Sequence, residues 1–284
     1  MQEAMYYDKL SSKKVHCHLC PHHCMIADGH IGLCLVRKNI QGKLYTVNYG
    51  HLSAIAIDPI EKKPLNRFMP GSHILSVGSY GCNMKCLFCQ NADIAREFKI
   101  SDQYTEPMDV IRSALDHGLP SIAYTYNEPT VYYEWMITTA RLAKEKGLKN
   151  VMVSNGFIEK QPFEALAPFI DAMNIDVKTY DDTKYQSICG GRLEPVLETI
   201  ERALNHNIHV ELTCLIVPGL NDELEKLNVF FKQLYDRVGD LDLHISRYFP
   251  RYHYDEPATN IQLMLEIKEG ARKYFTQVHL GNVR

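Results

Sequence analysis

Three cysteines near the end of an apolar segment are the residues of this chain best suited to chemistry. They are Cys82, Cys86 and Cys89, and they follow directly after the apolar run 74–77. Thiolates within eight positions of one another can converge on one metal centre, and cysteine-rich loops hold iron–sulfur clusters. Three thiolates leave one coordination position open. On the residues alone, a zinc site completed by a histidine and three unpaired thiols remain alternatives.

A second group of cysteines lies near the N-terminus, where it is interleaved with four histidines. Its members are Cys17, Cys20, Cys24 and Cys34. Four thiolates are enough for a closed tetrahedral zinc site or for a second iron–sulfur cluster, and the spacing does not choose between them. Buried free thiols beside solvent-facing histidines are the third interpretation. Of the other cysteines, Cys189 follows the fourth strand and is interpreted as a free loop thiol, with approach to the site as a hydrogen donor or substrate contact as the alternative, and Cys214 is interpreted as a core residue.

The composition is that of an ordinary globular protein of 284 residues, 45% hydrophobic and 23% charged. The formal net charge of −3 offers no attraction to nucleic acid or to an anionic membrane, so neither is expected as a partner. The first ten residues lack a signal-peptide pattern, and no apolar stretch approaches membrane-spanning length. The clustering of the nine cysteines indicates metal ligation in a reducing compartment. A cytoplasmic location is therefore expected.

The chain beyond residue 72 alternates between apolar runs typical of strands and periodic segments typical of helices. The predicted strands are 74–77, 121–125, 150–153, 172–177, 209–217 and 241–246, with 277–280 as a seventh at the rim. Six repeated strand–helix units imply a parallel sheet with right-handed crossovers. We therefore predict an α/β fold, a partial (β/α)6 TIM-like barrel.

The N-terminal part is predicted to be a small segment of its own, so that the chain divides into 1–71 and 72–284. Runs 43–48 and 52–57 have weak alternation and a short glycine-containing connection, which predicts a hairpin between them. The proline-broken loop 58–65, with its two adjacent lysines, follows. The segment with this loop is expected to be a lid over the barrel mouth or a brace against the barrel.

Polar side chains follow three successive predicted strands of the barrel. They are Asn127 and Glu128 after the second strand, Ser154 and Asn155 after the third, and Asp176 and Lys178 after the fourth. In such barrels the reactive groups come from the carboxyl ends of the strands. Helix caps and a structural ion pair explain each group taken singly. Their succession beside the cysteine loop favours one shared site, in which an acid and a base could serve a zwitterionic ligand.

The order of these motifs resembles the pyruvate formate-lyase activating enzyme branch of the radical S-adenosylmethionine superfamily. The motifs are Cys82-x3-Cys86-x2-Cys89, Tyr126-Asn127-Glu128-Pro129, Ser154-Asn155-Gly156, Asp176-Val177-Lys178 and 217–222. The N-terminal Cys-x-Leu-Cys-Pro pattern, the loop 58–64 and the C-terminal run 280–283 also resemble the AmmeMemoRadiSam system radical S-adenosylmethionine proteins. This resemblance extends over essentially the whole chain.

The resemblance implies a cofactor set and a chemistry. Three irons of a 4Fe-4S cluster are held by the cysteine loop, and the fourth is chelated by S-adenosylmethionine. Reductive cleavage of S-adenosylmethionine then generates a 5′-deoxyadenosyl radical, which abstracts hydrogen from a protein, peptide or small-molecule substrate. Flavodoxin or ferredoxin is implied as the electron donor. The cofactors carry this chemistry, while the protein positions them and excludes water and oxygen.

The resemblance also implies roles for single residues. Asn127 and Glu128 occupy the place of the Gly-Gly-Glu motif near the methionine amino group. Phe88 is placed beside the adenine, and the rest of the nucleotide pocket is lined by Ser154, Asn155, Asp176 and Lys178. One departure is that Tyr126-Asn127 replaces two glycines, which favours a side-chain contact there over a main-chain contact.

Two other classes of function are compatible with parts of the sequence. A zinc-dependent barrel hydrolase would use one Cys/His site and would be colourless and indifferent to oxygen. An iron–sulfur electron-transfer protein would be coloured and would form no 5′-deoxyadenosine. The first is disfavoured because no suitably placed histidine follows Cys89. The second is disfavoured because an electron carrier has no need of polar strand ends.

Overall fold

The N-terminal part of the computed structural model, which describes residues 1–283, contains six short strands. They are β1 (Gln2–Glu3), β2 (Tyr7–Lys9), β3 (Val15–Cys17), β4 (Met25–Ile26), β5 (Arg37–Ile40) and β6 (Lys43–Thr46). They form two antiparallel sheets of three strands, with orders β2-β3-β4 and β1-β6-β5. Strands this short rely on packing against the rest of the chain.

The large sheet has eight strands in the order β14-β13-β12-β11-β10-β9-β8-β7. They are β7 (Ala54–Pro59), β8 (His73–Gly78), β9 (Ser121–Tyr124), β10 (Lys149–Ser154), β11 (Ala172–Asp176), β12 (His209–Ile216), β13 (Asp242–Arg247) and β14 (Val278–Gly281). From β8 to β14 all neighbours are parallel, and only β7 pairs antiparallel, with β8. The seven parallel strands occur where the sequence predicts them, which confirms the partial barrel.

Helices separate the parallel strands along the chain, as expected for crossover connections. They are α1 (Ala92–Ala95), α2 (Pro107–Asp116), α3 (Tyr133–Glu145), α4 (Lys160–Leu166), α5 (Asp182–Lys184), α6 (Leu193–Asn205), α7 (Leu224–Val238) and α8 (Ile261–Ala271). The parallel strands are buried almost along their whole length because helices cover them. Among residues 1–283, no helix is both long and apolar enough to cross a membrane.

The predicted hairpin between runs 43–48 and 52–57 is wrong. Strand β6 pairs with β5, and β7 pairs with β8 at the edge of the large sheet. Strand β7 covers the edge that β8 would otherwise expose, and an unpaired edge is costly. Residues 54–59 are therefore continuous with the barrel sheet. The division of the chain at residue 71 stays a prediction.

Of the two roles expected for the loop 58–65, the lid over the barrel mouth is wrong, because the loop packs against the barrel as a brace at its other end. Leu65 packs beside Ala172, the first residue of β11. The backbone N–H of Arg67 donates to Glu211 near the start of β12, at 2.9 Å. The loop thus closes the amino-terminal end of the barrel, opposite to the end where the cysteine loop emerges.

Candidate active site

The cysteine loop is defined here as residues 79–91 and follows the carboxyl end of β8. It contains Gly81, where any other residue would force neighbouring atoms to shift. Gly81 has φ +87°, and a Cβ added there would lie 2.5 Å from the carbonyl oxygen of Cys34. Its N–H donates to Ile94 O at 2.9 Å. Glycine is the residue that adopts this conformation and this close approach without strain. The chain is thereby turned so that Cys82 follows directly at the strand end.

The three thiols of the loop are spread more widely than the ligands of a single ion. All three are free of disulfides, and in the described part of the chain they do not all lie within 4.8 Å of one another. Four sulfurs around one tetrahedral zinc lie about 3.8 Å apart. A four-iron cluster is larger than one ion, so its thiolates lie farther apart than those around one zinc. Cys82 Sγ also accepts from Met84 N at 3.3 Å.

Burial sets the proton affinity of these thiols. It raises the pKa of Cys82, where the Glu128 carboxylate adds to the effect, and it raises the pKa of Cys89. Cys86 differs because a hydrogen bond from the Cys189 thiol lowers its pKa. Buried thiols with a raised pKa become thiolates when they bind a metal, which replaces the proton.

Cys189 lies closer to this site than its interpretation as a free loop thiol suggests. It ends the π-helical turn Tyr185–Cys189 and is completely buried. Its carbonyl oxygen accepts from Lys85 N at 2.8 Å and from the Cys86 thiol at 4.0 Å, and the two thiols interact closely enough to shift each other's pKa. The thiol is free of disulfides, but it is neither in an open loop nor without a partner. Sequence spacing gives no signal for this contact, because 103 residues separate the two cysteines.

The Glu128 carboxylate holds two strand ends together. One oxygen accepts from Thr130 N at 3.0 Å, from Thr130 Oγ1 at 2.7 Å and from Ser154 Oγ at 2.8 Å. The other accepts from Asn155 N at 2.8 Å. Burial raises the pKa of Glu128, and these four hydrogen bonds act in the opposite direction. The carboxylate therefore fixes the positions of Ser154 and Asn155.

The side chain of Asn127 ties the end of β9 to the cysteine loop. Its oxygen accepts from Ser79 N at 2.8 Å, and its amide donates to Gly81 O at 2.8 Å. Asn155 extends the same network, with its amide 2.9 Å from Asn83 Oδ1 and 3.8 Å from Cys82 Sγ. The side chain that replaces glycine in the resembled motif thus braces the loop that carries the cysteines.

Asp176 and Lys178 lie on the same side of the chain at the end of β11 and form an ion pair. Their Nζ and Oδ2 atoms are 2.9 Å apart. Burial acts to lower the pKa of Lys178, but the carboxylate of Asp176, together with Cys86, raises it above its ordinary range. The ammonium group is therefore charged and close to the cysteine loop. Only 15% of the lysine side chain and 28% of the aspartate side chain are exposed.

Phe88 is buried within the cysteine loop. Its ring meets the edge of Tyr254 at a centroid distance of 6.2 Å. The structure thus gathers the loop and the predicted groups of β9, β10 and β11 around one end of the sheet. The assignments of single residues to S-adenosylmethionine remain predictions.

The four N-terminal cysteines form a separate group beside this site. Burial raises the pKa of Cys20, Cys24 and Cys34, and the neighbouring thiols of the same group raise it further. Arg37 donates to Cys17 Sγ at 3.4 Å and forms a buried ion pair with Glu134 at the start of α3. The four thiols therefore face one another, and a buried cation lies beside them.

The two cysteine groups are joined by residues that the sequence analysis missed. The guanidinium of Arg96 donates to Leu33 O at 3.0 Å and to Cys82 O at 3.2 Å. An imidazole nitrogen of His22 lies 2.7 Å from Asn83 O. No local pattern marks Arg96 or Asn83, since each acts through partners distant in sequence.

A cavity of about 300 Å³ opens beside the cysteine loop. Its lining includes the basic side chains Lys85, Arg96 and Arg192 and the backbone around Gly190. Lys85 and Arg192 are exposed. These basic side chains make this edge of the loop positively charged, whereas the whole chain has a net charge of −3.

Comparison with known proteins gives the site a family. The family model described as the Radical SAM superfamily matches residues 76–230. An uncharacterized protein of Methanocaldococcus jannaschii is 46% identical, and the match covers 100% of this chain and 86% of that protein. The pyruvate formate-lyase 1-activating enzyme of Escherichia coli K12 is 24% identical over 50% of this chain and 61% of the enzyme.

A solved structure has the same fold. Streptococcus suis SuiB bound to S-adenosylmethionine superposes with a TM-score of 0.56 at 17% identity, over 71% of this chain and 48% of that one. The family model spans more than half of the chain and includes the three-cysteine loop. The chain therefore belongs to the Radical SAM superfamily, similar to the pyruvate formate-lyase activating enzymes, and its cofactors are a 4Fe-4S cluster and S-adenosylmethionine.

Proposed function

We propose that this protein cleaves S-adenosylmethionine at a cluster held by Cys82, Cys86 and Cys89 and abstracts hydrogen from a protein or peptide substrate. The observation that carries the proposal is the contact of the cysteine loop with a neighbouring strand end, where the Asn155 amide lies 3.8 Å from Cys82 Sγ. A protein substrate is supported by the E. coli relative, whose name describes activation of another enzyme.

Different residues of the chain are assigned different parts of cofactor binding. When bound, the cluster and S-adenosylmethionine supply the 5′-deoxyadenosyl radical. Asp176 and Lys178 offer one negative and one positive charge to the zwitterionic methionine part of the ligand. Phe88, although buried within the cysteine loop, is assigned to pack against the adenine by the family resemblance. Glu128 keeps Ser154 and Asn155 in place, so we assign it a positioning role.

We further propose that Cys17, Cys20, Cys24 and Cys34 hold a second iron–sulfur cluster and not zinc. In the described residues, no three of these thiols lie within 4.8 Å of one another, whereas one tetrahedral zinc needs sulfurs about 3.8 Å apart. The hydrogen bond from Arg37 to Cys17 Sγ supports this assignment, because hydrogen bonds to sulfur tune cluster potentials.

The electron donor is proposed to be flavodoxin or ferredoxin, approaching the edge of the cysteine loop. Lys85, Arg96 and Arg192 line the cavity there, and two of them are exposed. A positive patch attracts an acidic partner and accelerates its association. Such a donor delivers electrons close to Cys86 without entering the barrel.

The central experiment is anaerobic reconstitution with iron and sulfide, reduction, addition of S-adenosylmethionine and chromatographic detection of 5′-deoxyadenosine. We expect the product from the wild-type protein and from Cys214→Ala, a buried thiol that serves as the matched control. We expect no product from Cys86→Ala. A wild-type protein that carries a full cluster and binds S-adenosylmethionine, yet forms no 5′-deoxyadenosine with any reductant, would contradict the proposal.

The donor surface is tested separately. Lys85→Glu combined with Arg192→Glu should slow 5′-deoxyadenosine formation by at least about tenfold with reduced flavodoxin, because the charge that steers association is reversed. With dithionite the rate should stay unchanged. Lys146→Glu, an exposed lysine at the end of α3, is the matched control. Equal slowing with both reductants would contradict the proposal that the electron donor binds at this surface.

A further inference from the structure

Three histidine side chains meet on the outside of the N-terminal segment. They are His16, His18 and His23, and their ligand nitrogens all lie within 4.8 Å of one another. Within residues 1–283, no other group of three or more histidine, cysteine or acidic side chains is so compact. The ring centroids of His16 and His18 are 4.2 Å apart. These histidines take no part in the proposed radical chemistry.

Strand geometry separates the histidines from the neighbouring cysteines. His16 and His18 flank Cys17 around the end of β3, and side chains alternate between the two faces of a strand. Cys17 is buried with 6% exposure, while His16 and His18 are half-buried. His23 joins them from a tight turn in which its N–H donates to Cys20 O at 3.1 Å. The thiols therefore face inward and the imidazoles outward.

Two of the imidazoles are held by carboxylates from other parts of the chain. Nε2 of His18 lies 2.8 Å from Asp8 Oδ2, and Nε2 of His23 lies 2.8 Å from Glu159 Oε1. A carboxylate only accepts, so each Nε2 donates, and in the neutral imidazole that binds a metal each Nδ1 keeps a lone pair. Metal-binding histidines are typically oriented in this way by a carboxylate on the other ring nitrogen.

We propose that His16, His18 and His23 bind one divalent transition metal ion of the zinc type, at a site separate from both cysteine groups. Three imidazoles with an open fourth position form a known zinc geometry, and imidazole nitrogen suits zinc and its neighbours in the first transition row. Asp8 and Glu159 orient the rings and supply negative charge. The exposed fraction of His23, 45%, leaves a path for the ion to enter.

The position of the site gives the ion a structural role. Asp8 belongs to β2, the histidines surround β3, and Glu159 precedes α4 of the barrel. The backbone N–H of Glu159 also donates to Leu19 O at 3.1 Å. A bound ion thus fastens the segment that carries Cys17, Cys20 and Cys24 onto the connection that follows Asn155. Binding to the folded state alone stabilises that state.

The test is calorimetric titration of Zn²⁺ into the cluster-loaded protein, followed by zinc K-edge absorption of the complex. We expect about one ion per chain and a shell of nitrogen and oxygen at about 2.0 Å, with no sulfur at about 2.3 Å. His16→Ala combined with His18→Ala should weaken binding at least about 100-fold. His30→Ala, an exposed histidine outside the group, is the matched control and should bind as the wild type does.

Two further readouts separate metal binding from simple ion pairing. Glu159→Gln should weaken Zn²⁺ binding by about 10- to 100-fold, the usual effect of removing a carboxylate behind a ligating histidine. Circular dichroism and iron content of each variant show that the fold and the cysteine sites are intact. Sulfur in the zinc shell, or equal affinity in the wild type and the double variant, would overturn the proposal and leave only two histidine–carboxylate ion pairs.

Discussion

The cysteine loop and the N-terminal cysteines gather thiols in two different surroundings. Cys82, Cys86 and Cys89 lie at the end of a parallel sheet, where side chains of neighbouring strands supply hydrogen bonds and charge. The N-terminal group has four thiols, largely buried among apolar residues, with one buried arginine beside them. Three thiols among polar groups leave room for a ligand, whereas four thiols close their own site.

The difference extends to how each group is fastened to the barrel. The N-terminal group depends on the buried pair of Arg37 and Glu134. The cysteine loop depends on strand ends, where Asn91 donates to Tyr126 O at 2.7 Å and Tyr126 itself donates to Asp58 at 2.8 Å. A buried ion pair thus anchors one group of thiols, in addition to the hydrogen bonds of Arg96 and His22, whereas hydrogen bonds between strand ends anchor the other.

The largest expected effect separates the two groups by function. Cys86→Ala should reduce 5′-deoxyadenosine formation to the background of the assay. Cys20→Ala should leave it detectable with dithionite, because the second group does not contact S-adenosylmethionine in our proposal. Each variant should lose about four irons per chain. Iron analysis and product chromatography on the same samples check both statements, and equal loss of product in the two variants would break the comparison.

The next effect concerns the anchor of the N-terminal group. Arg37→Met should lower the free energy of unfolding by about 3 to 5 kcal/mol, because it leaves the Glu134 carboxylate buried without its partner. Combining it with Glu134→Leu should recover most of this loss, since an apolar pair needs no compensating charge. Urea denaturation under anaerobic conditions measures both values. A double variant as unstable as the single one would show that the pair does more than balance charge.

A buried pair at the amino-terminal end of the barrel, Asp58 with Lys63, contacts Tyr126, whose carbonyl oxygen in turn accepts from Asn91 of the cysteine loop. Asp58→Asn should cost about 3 kcal/mol at neutral pH, because Lys63 is 4% exposed and would lose its carboxylate. Burial acts to raise the pKa of Asp58, but hydrogen bonds from Lys63 and Tyr126 hold it below its ordinary value. The stabilisation is therefore present above about pH 4 and lost as the pH falls. Denaturation at several pH values should show the wild type and the variant converging in acid.

The smallest effect tests the contact between the two groups. Gly81→Ala should destabilise the protein by about 2 kcal/mol or more, for two reasons. The added Cβ would clash with Cys34 O, and alanine is strained at the positive φ of this position. Gly71→Ala is the matched control, since its φ is +75° and no atom lies within 4 Å of the added Cβ. It should cost about 1 kcal/mol. Equal costs would mean that the two groups are not pressed together at Gly81.

Much of the barrel is predictable from the sequence because its information is local. Each parallel strand is an apolar run bounded by turn residues, and helices between them carry their own periodicity. The polar groups after β9, β10 and β11 are also visible, since the carboxyl ends of barrel strands are known sites. Cys214 is confirmed as a core residue, with 3% exposure, for the same reason.

The errors arise where partners are distant in sequence. Strands β6 and β7 carry a pattern that fits a hairpin, and only the sheet edge at β8 decides the true partner of β7. The loop 58–65 closes the other end of the barrel because its apolar side chains fit there. The contact of Cys189 with Cys86 has the same origin, since packing of the π-helical turn on the loop creates it.

The residues that carry the chemistry can be found from the amino-acid sequence alone, because the spacing of three cysteines and the periodicity of the strands are properties of short stretches. Tertiary structure decided what those residues meet. In the folded protein the carboxylate of Glu128 accepts hydrogen bonds that join two strand ends, and Arg96 donates to both cysteine groups. Tertiary structure also brought His23 to the pair His16 and His18. Such contacts depend on how distant segments pack, and the local pattern of residues does not encode that packing.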